Sequence, residues 1–231
     1  ATTEIYTSLF VGSVSVYKDS RVAYRIRFTG AQNIPSSGGA LLVANHVTFL
    51  DGLLLAATTQ RFIRFLVIEK HYQRFEPIPR LFHAIPVKQG RPRDVVEMIA
   101  RSRAALAAGE LVCIFPEGDL TRMGNIQAFQ RGMERIAAGL DVPVIPIHLG
   151  GLWGSVFSFA GGRLFAKWPQ LRRYPVQISV GAPLPSNITA VEARQAVVEL
   201  SCEPTETPLL HAAFIQAAKR APKRLALADA S

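Results

Sequence analysis

The sequence predicts an α/β fold with a largely parallel central sheet flanked by helices. Apolar runs bounded by turn residues alternate along the chain with longer amphipathic stretches, the order that builds a parallel sheet with helical crossovers. Runs such as Ala40-Leu41-Leu42-Val43-Ala44 have the continuous hydrophobicity of strands covered on both faces. With 231 residues the chain is long enough to bury that core as one domain.

Taken in order, Tyr6, Phe10, Val14 and Tyr17 recur at helical spacing, while Val11, Val14 and Val16 are β-branched and leave a strand open. A short interfacial or packing helix is the expectation there. Residues 21–28 alternate, with Val22, Tyr24, Ile26 and Phe28 on one face and Arg21, Arg25 and Arg27 on the other, which suits a half-exposed edge strand. Ile34-Pro35-Ser36-Ser37-Gly38-Gly39 is turn chemistry and leads into a buried strand at 40–44. Further strands are predicted at 63–68, 84–88, 111–115, 142–148 and 176–180, with helices at 50–58, 94–108 and 129–138. A helix at 190–201 opens on a Thr189–Glu192 capping box, and another at 209–220 is bounded by Pro208 and Pro222. The expected layout is a single domain: N-terminal helix and edge strand in 1–30, α/β core in 31–185, C-terminal helices in 186–231. The chain begins at Ala1 with neither an initiator Met nor a cleavable signal pattern, and it reads as a segment cut from a larger multidomain protein.

Lys and Arg outnumber Asp and Glu by 26 to 17, and the resulting +9 favours an anionic partner: nucleic acid, phosphorylated metabolites or acidic lipid headgroups. Charge does not choose among them. Although 49% of the residues are hydrophobic, no uninterrupted apolar run approaches the roughly 20 residues that cross a bilayer, so a spanning helix is not expected. Cys113 and Cys202 are the only cysteines, and Cys113 lies in an apolar run that reads as a buried, inert thiol in a reducing compartment.

The stretch Asn45-His46-Val47-Thr48-Phe49-Leu50-Asp51 places a histidine where a buried strand gives out and an aspartate five residues later. On one continuous helix the two would point about 140° apart, so His46 must precede the helix. Thr48 and Asp51 have capping-box spacing, which starts a helix at Phe49 and lets the intervening turn bring the imidazole back to the carboxylate. A carboxylate on one ring nitrogen fixes the tautomer and leaves the other nitrogen free to take a proton from an alcohol. The plainer reading is that Asp51 caps a helix and His46 is a polar strand end.

A second element, Cys113-Ile114-Phe115-Pro116-Glu117-Gly118, ends another buried strand and opens a polar loop through Asp119, Thr121, Arg122, Gly124 and Asn125. In a parallel sheet ligands bind at the carboxyl ends of strands, where His46 and Glu117 would share one cleft. The motif Asn45-His46-Val47-Thr48-Phe49-Leu50-Asp51, then Phe115-Pro116-Glu117-Gly118, then Val142-Pro143-Val144-Ile145-Pro146, resembles the glycerophospholipid acyltransferases of the 1-acylglycerol-3-phosphate acyltransferase type. The segments Gly151-Leu152-Trp153-Gly154, Lys167-Trp168-Pro169 and Tyr174-Pro175-Val176 look more narrowly like the acyltransferase domain of bifunctional 2-acylglycerophosphoethanolamine acyltransferase/acyl-carrier-protein synthetases.

That resemblance implies a glycerol-3-phosphate acyltransferase-like fold, His46 as general base, Asp51 as its partner, and Glu117 with Gly118 in the acceptor site. It implies a lysophospholipid acceptor and an acyl thioester donor, acyl-CoA or acyl carrier protein, with no other cofactor. The family commonly carries an Arg three residues after the motif Glu; here Leu120 stands there and Arg122 is displaced by two. Lys88 ends the strand at 84–88 and Arg91 follows it, so Lys88, Arg91 and Arg122 are all candidates for the phosphate anchor.

Between Gly151 and Pro175, Trp153, Phe157, Phe159, Phe165, Trp168 and Tyr174 mix with Arg163, Lys167, Arg172 and Arg173 and no acid, a composition that suits an anionic membrane surface as well as it suits rings covering a sheet. Trp153 and Trp168 are the expected interface residues, on the cytoplasmic face of a membrane. His71, His83, His148 and His211 have no partner at metal-like spacing, and no metal is implied. The chain has no Gly-x-Ser-x-Gly elbow and no Walker-type loop, against a serine esterase or ATP-driven acyl activation. The rival from another class is a noncatalytic basic module on anionic membrane or nucleic acid; for the acyltransferase no nucleic acid is expected.

Overall fold

The computed structural model of the chain describes residues 24–70, 83–88, 90–155, 157–162 and 174–202. The predicted helices at the N-terminus and at 209–220, and Trp168, lie outside the described residues. By its contacts the chain divides into Ala1–Ser201 and Cys202–Ser231, and the elements below belong to the first unit apart from Cys202, which ends the last helix.

Among the described residues seven strands form one sheet: β1 (Tyr24–Thr29), β2 (Ala40–Ala44), β3 (Ile63–Ile68), β4 (Ile85–Val87), β5 (Leu111–Ile114), β6 (Val144–Gly150) and β7 (Tyr174–Val180). Their order is β1-β7-β6-β2-β5-β3-β4, and every neighbouring pair is parallel except β6 with β7. The largely parallel α/β sheet is therefore the fold that the alternation predicted. β1 is an edge strand, as its arginine-bearing face required, with Ile26 and Phe28 packed on the core and Arg27 exposed.

Among the described residues four α-helices flank the sheet: α1 (Asp51–Ala56), α2 (Pro92–Ala107), α3 (Gly132–Ala137) and α4 (Ala190–Cys202). Side chains alternate across β2, so Leu42 and Ala44 pack with Leu54 and Leu55 of α1, while Leu41 and Val43 pack with Leu106, Met133, Ile136 and Val197 of the other helices. Burial on both faces explains why the central strands read as continuous apolar runs. Cys113 is buried in this core, and burial pushes its thiol far above the ordinary range, which makes it inert. Cys202 is exposed.

The predicted elements move at their ends for local reasons. β6 starts and finishes two residues later than expected, because its ladder with β7 continues to Gly150 opposite Gln177. α3 begins at Gly132 instead of Phe129, since the Gln130 amide is committed to the Pro116 carbonyl at 2.8 Å. α2 begins two residues early on Pro92, whose missing N–H costs nothing in the first turn. The predicted capping box of α4 is present, with the Thr189 N–H donating to Glu192 Oε2 at 2.9 Å and the Glu192 N–H to Thr189 Oγ1 at 3.2 Å.

Candidate active site

The site lies where β2 and β5 end side by side. β2 pairs with β5 and β6 only as far as Ala44, and the chain then turns before α1. Asn45 fixes this exit: its buried amide takes the Leu149 N–H at 2.7 Å and donates to the Leu149 carbonyl at 3.0 Å, extending the β6 contact by one side chain.

The turn from His46 to Leu50 wraps around the fully buried carboxylate of Asp51. Oδ2 accepts the Val47 N–H at 2.6 Å and the Thr48 N–H at 2.9 Å, and it meets His46 Nδ1 at 2.9 Å; Oδ1 accepts the Thr48 hydroxyl at 2.6 Å. A charge out of water needs this number of donors. The helix begins at Asp51, not at Phe49, because the Thr48 hydroxyl donates to the carboxylate and accepts from the Leu50 N–H at 3.2 Å instead of capping Asp51. Half of the expected capping box is present, the Thr48 N–H on Asp51 Oδ2, and it forms part of a carboxylate nest that also holds the histidine.

His46 stacks on Phe115 with ring centroids 4.1 Å apart and planes 16° from parallel. Its side chain remains 21% exposed, and with Nδ1 on Asp51 the other ring nitrogen, Nε2, has no protein partner among the described residues. The backbone of His46 is held as well. Glu117 Oε1 accepts its N–H at 2.8 Å, and its carbonyl accepts the Thr121 N–H at 2.9 Å. Glu117 Oε2 takes the Gln127 N–H at 2.9 Å. Burial pushes the Glu117 carboxyl above the ordinary glutamate range, against the opposing pull of those two amides.

Gly118 closes the turn after β5, its N–H on the Phe115 carbonyl at 3.1 Å. Its φ is +81°, in the left-handed region that favours glycine, whereas a Cβ there would meet only the movable amide end of Gln130. Gly124 also has a φ of +81°, and a Cβ would come within 2.9 Å of the Trp153 ring, which rests on the glycine. Beside it Arg122 lies over the Phe159 ring, 5.6 Å from the centroid. The segment carrying Trp153 and Phe159 is joined to the turn after β2 by a bridge between Thr48 and Ser158.

The structure therefore brings together His46, Asp51, Glu117, Gly118, Arg122 and Trp153. It does not bring Lys88 and Arg91 to them. β4 ends on the same side of the sheet as β2 but three strands away, roughly 14 Å at about 4.8 Å per strand. There Lys88 faces Glu69 at 3.8 Å, and Arg91 is an exposed residue at the start of α2. His83 meets Phe62 edge-on, and burial lowers the His148 imidazole to about 4, leaving it neutral at physiological pH. Phe115, Thr48 and Thr121 contribute to the site beyond the residues predicted. Phe115 and Thr48 stood within the two motifs, whereas Thr121 reaches His46 through its backbone, which carries no side-chain signal, while its hydroxyl ties the loop to Gly124 and Asn125.

A sequence profile described as Acyltransferase matches residues 25–150, more than half of the chain and the whole of this site up to β6. The chain belongs to the Acyltransferase family. Among other acyltransferases it is similar to the chloroplastic 1-acyl-sn-glycerol-3-phosphate acyltransferase LPAT1 of Arabidopsis thaliana, with 33% identity over 144 residues, 60% of this chain and 38% of that protein. It is 24% identical over 129 residues to a 1-acyl-sn-glycerol-3-phosphate acyltransferase of Borreliella burgdorferi, covering 54% of this chain and 51% of the relative. The chain thus spans well under two thirds of these relatives. The crystal structure of the 1-acyl-sn-glycerophosphate acyltransferase PlsC from Thermotoga maritima shares the acyltransferase fold, with a TM-score of 0.67, 17% identity, and coverage of 89% of this chain and 85% of that one. Among the described residues no helix is long and apolar enough to cross a membrane.

Proposed function

We propose that the chain transfers a fatty acyl group from an acyl thioester to the free hydroxyl of 1-acylglycerol-3-phosphate or a similar lysophospholipid. The observation that carries this reading is the imidazole of His46, oriented through Nδ1 by a buried aspartate and open at Nε2. Nε2 takes the proton of the acceptor hydroxyl as its oxygen attacks the thioester carbonyl. The tetrahedral intermediate then collapses, the carbon–sulfur bond breaks, and the departing thiolate receives the proton from the imidazolium. Asp51 stabilises the imidazolium while it exists. No acyl-enzyme forms, and acyl-CoA or acyl carrier protein serves as the donor.

On this reading the acceptor phosphate sits against Arg122, the one of the three candidate cations within the loop that also holds His46. Arg122→Gln is expected to raise the acceptor KM by more than about tenfold, a loss of about 1.4 kcal/mol or more, while the thioester KM moves much less. Lys88→Gln and Arg91→Gln should leave acceptor kinetics near wild type. An acceptor KM that responds to Lys88 or Arg91 and ignores Arg122 would move the phosphate site.

The rim of the site also suits a lipid surface at the cytoplasmic face of a membrane: Met123 is 70% exposed and Trp153 36% exposed beside Arg122. Anionic vesicles should bind the protein, and salt should weaken binding because exposed charges are screened beyond about 8 Å at physiological ionic strength. Trp153→Ser should weaken the binding that persists at high salt. Sedimentation with neutral and anionic vesicles checks this, and equal binding to both at all salt concentrations contradicts it. The narrower likeness to bifunctional 2-acylglycerophosphoethanolamine acyltransferase/acyl-carrier-protein synthetases supports including lysophosphatidylethanolamine as an acceptor and acyl carrier protein as a donor in the assay. A noncatalytic binding module would bind such vesicles and transfer nothing.

A further inference from the structure

We propose that Glu117 is a positioning residue for the catalytic histidine and not a ligand of the acceptor, an inference that rests on His46 being the general base. β2 has left its ladders by Ala44, so the backbone of His46 must find partners elsewhere. The loop after β5 supplies both. The Glu117 carboxylate accepts the His46 N–H at 2.8 Å, and the Thr121 N–H, four residues on, is given to the His46 carbonyl at 2.9 Å. The other carboxylate oxygen is anchored on the Gln127 N–H at 2.9 Å, which keeps the glutamate from swinging away.

A side chain committed in this way bridges two pieces of backbone. Turning it toward a lipid phosphate would set like charges against each other and leave two amides without acceptors. What the bridge provides is placement: the imidazole is fixed through its own backbone, above Phe115 and against Asp51, and a misplacement of about 1 Å at such a site is enough to lower turnover on the order of a hundredfold.

The test is Glu117→Gln, which keeps size and shape. An amide oxygen can accept only one of the two N–H groups, and the NH2 group is turned against the other. With lysophosphatidate and palmitoyl-CoA as probes, kcat is expected to fall by about ten- to a hundredfold while the acceptor KM stays within about threefold. In a 15N-edited proton spectrum the His46 amide, which a carboxylate holds downfield, should move upfield. Glu117→Asp, with charge and both oxygens kept, should retain more kcat than the amide and show the same unchanged KM; it also carries the comparison if Glu117→Gln does not fold. An acceptor KM raised tenfold with kcat intact would make Glu117 an acceptor ligand, and an unmoved His46 amide would remove the clamp. A wild-type chain without transferase activity defeats the functional reading alone, since the amide shift still decides the contact.

Discussion

His46→Ala is expected to lower kcat for acyl transfer by about 10²–10⁴-fold, the usual contribution of a general base, with the fold retained. The retained fold follows from what the side chain touches. It is partly exposed, and its packing is one face of Phe115, a stack worth about 0.5–1.5 kcal/mol. Without the imidazole, Asp51 still accepts the Val47 and Thr48 amides and the Thr48 hydroxyl, so the turn has reason to persist. Activity and thermal unfolding measured on the same preparation check this. A folded variant with wild-type turnover rules out the mechanism.

Asp51→Asn should cost about 10³–10⁴-fold in kcat, as the corresponding change does in other carboxylate–histidine pairs. The amide fits: its oxygen can occupy the Oδ2 position and keep the two backbone donors, and its NH2 can donate to Thr48 once that hydroxyl rotates. The negative charge is lost, and with it the stabilisation of the imidazolium formed as the hydroxyl attacks. In the opposite rotamer the NH2 would donate to Nδ1 and fix the wrong tautomer. Unfolding by denaturant should move modestly while turnover collapses. Full activity in the amide variant would mean that Asp51 serves only the turn.

How much of this was legible in the sequence depended on whether a signal resided in one segment or between two. β2 and β3 occupy the predicted residues because their apolar runs are bounded by turn chemistry on one side or the other. The pairing of His46 with Asp51 was also readable, since helical geometry excluded a continuous helix and five residues suffice for the turn. The start of α1 was missed because the Thr48 hydroxyl chose the carboxylate over the backbone, a preference that spacing does not encode. α3 was overextended for a similar reason: residues 127 and 130 donate to the turn after β5, to partners ten or more residues away. Lys88 and Arg91 were placed on the correct side of the sheet, yet strand order, invisible in one sequence, sets them three strands from His46. Glu117 was recognised as part of the cleft, whereas its engagement with the His46 backbone emerged only once β2 and β5 were adjacent.

Direct transfer from thioester to lipid hydroxyl, with His46 as base, requires no acyl group on the protein at any stage. The purified chain should be incubated with lysophosphatidate and thioesters labelled in the acyl group, acyl-CoA and acyl carrier protein in separate arms, beside His46→Ala. Direct transfer puts label in a two-chain phospholipid with at least one donor, leaves none covalently on the protein, and yields little or no product from the variant. Absence of product with both donors, or label held on the protein before it reaches the lipid, would contradict it.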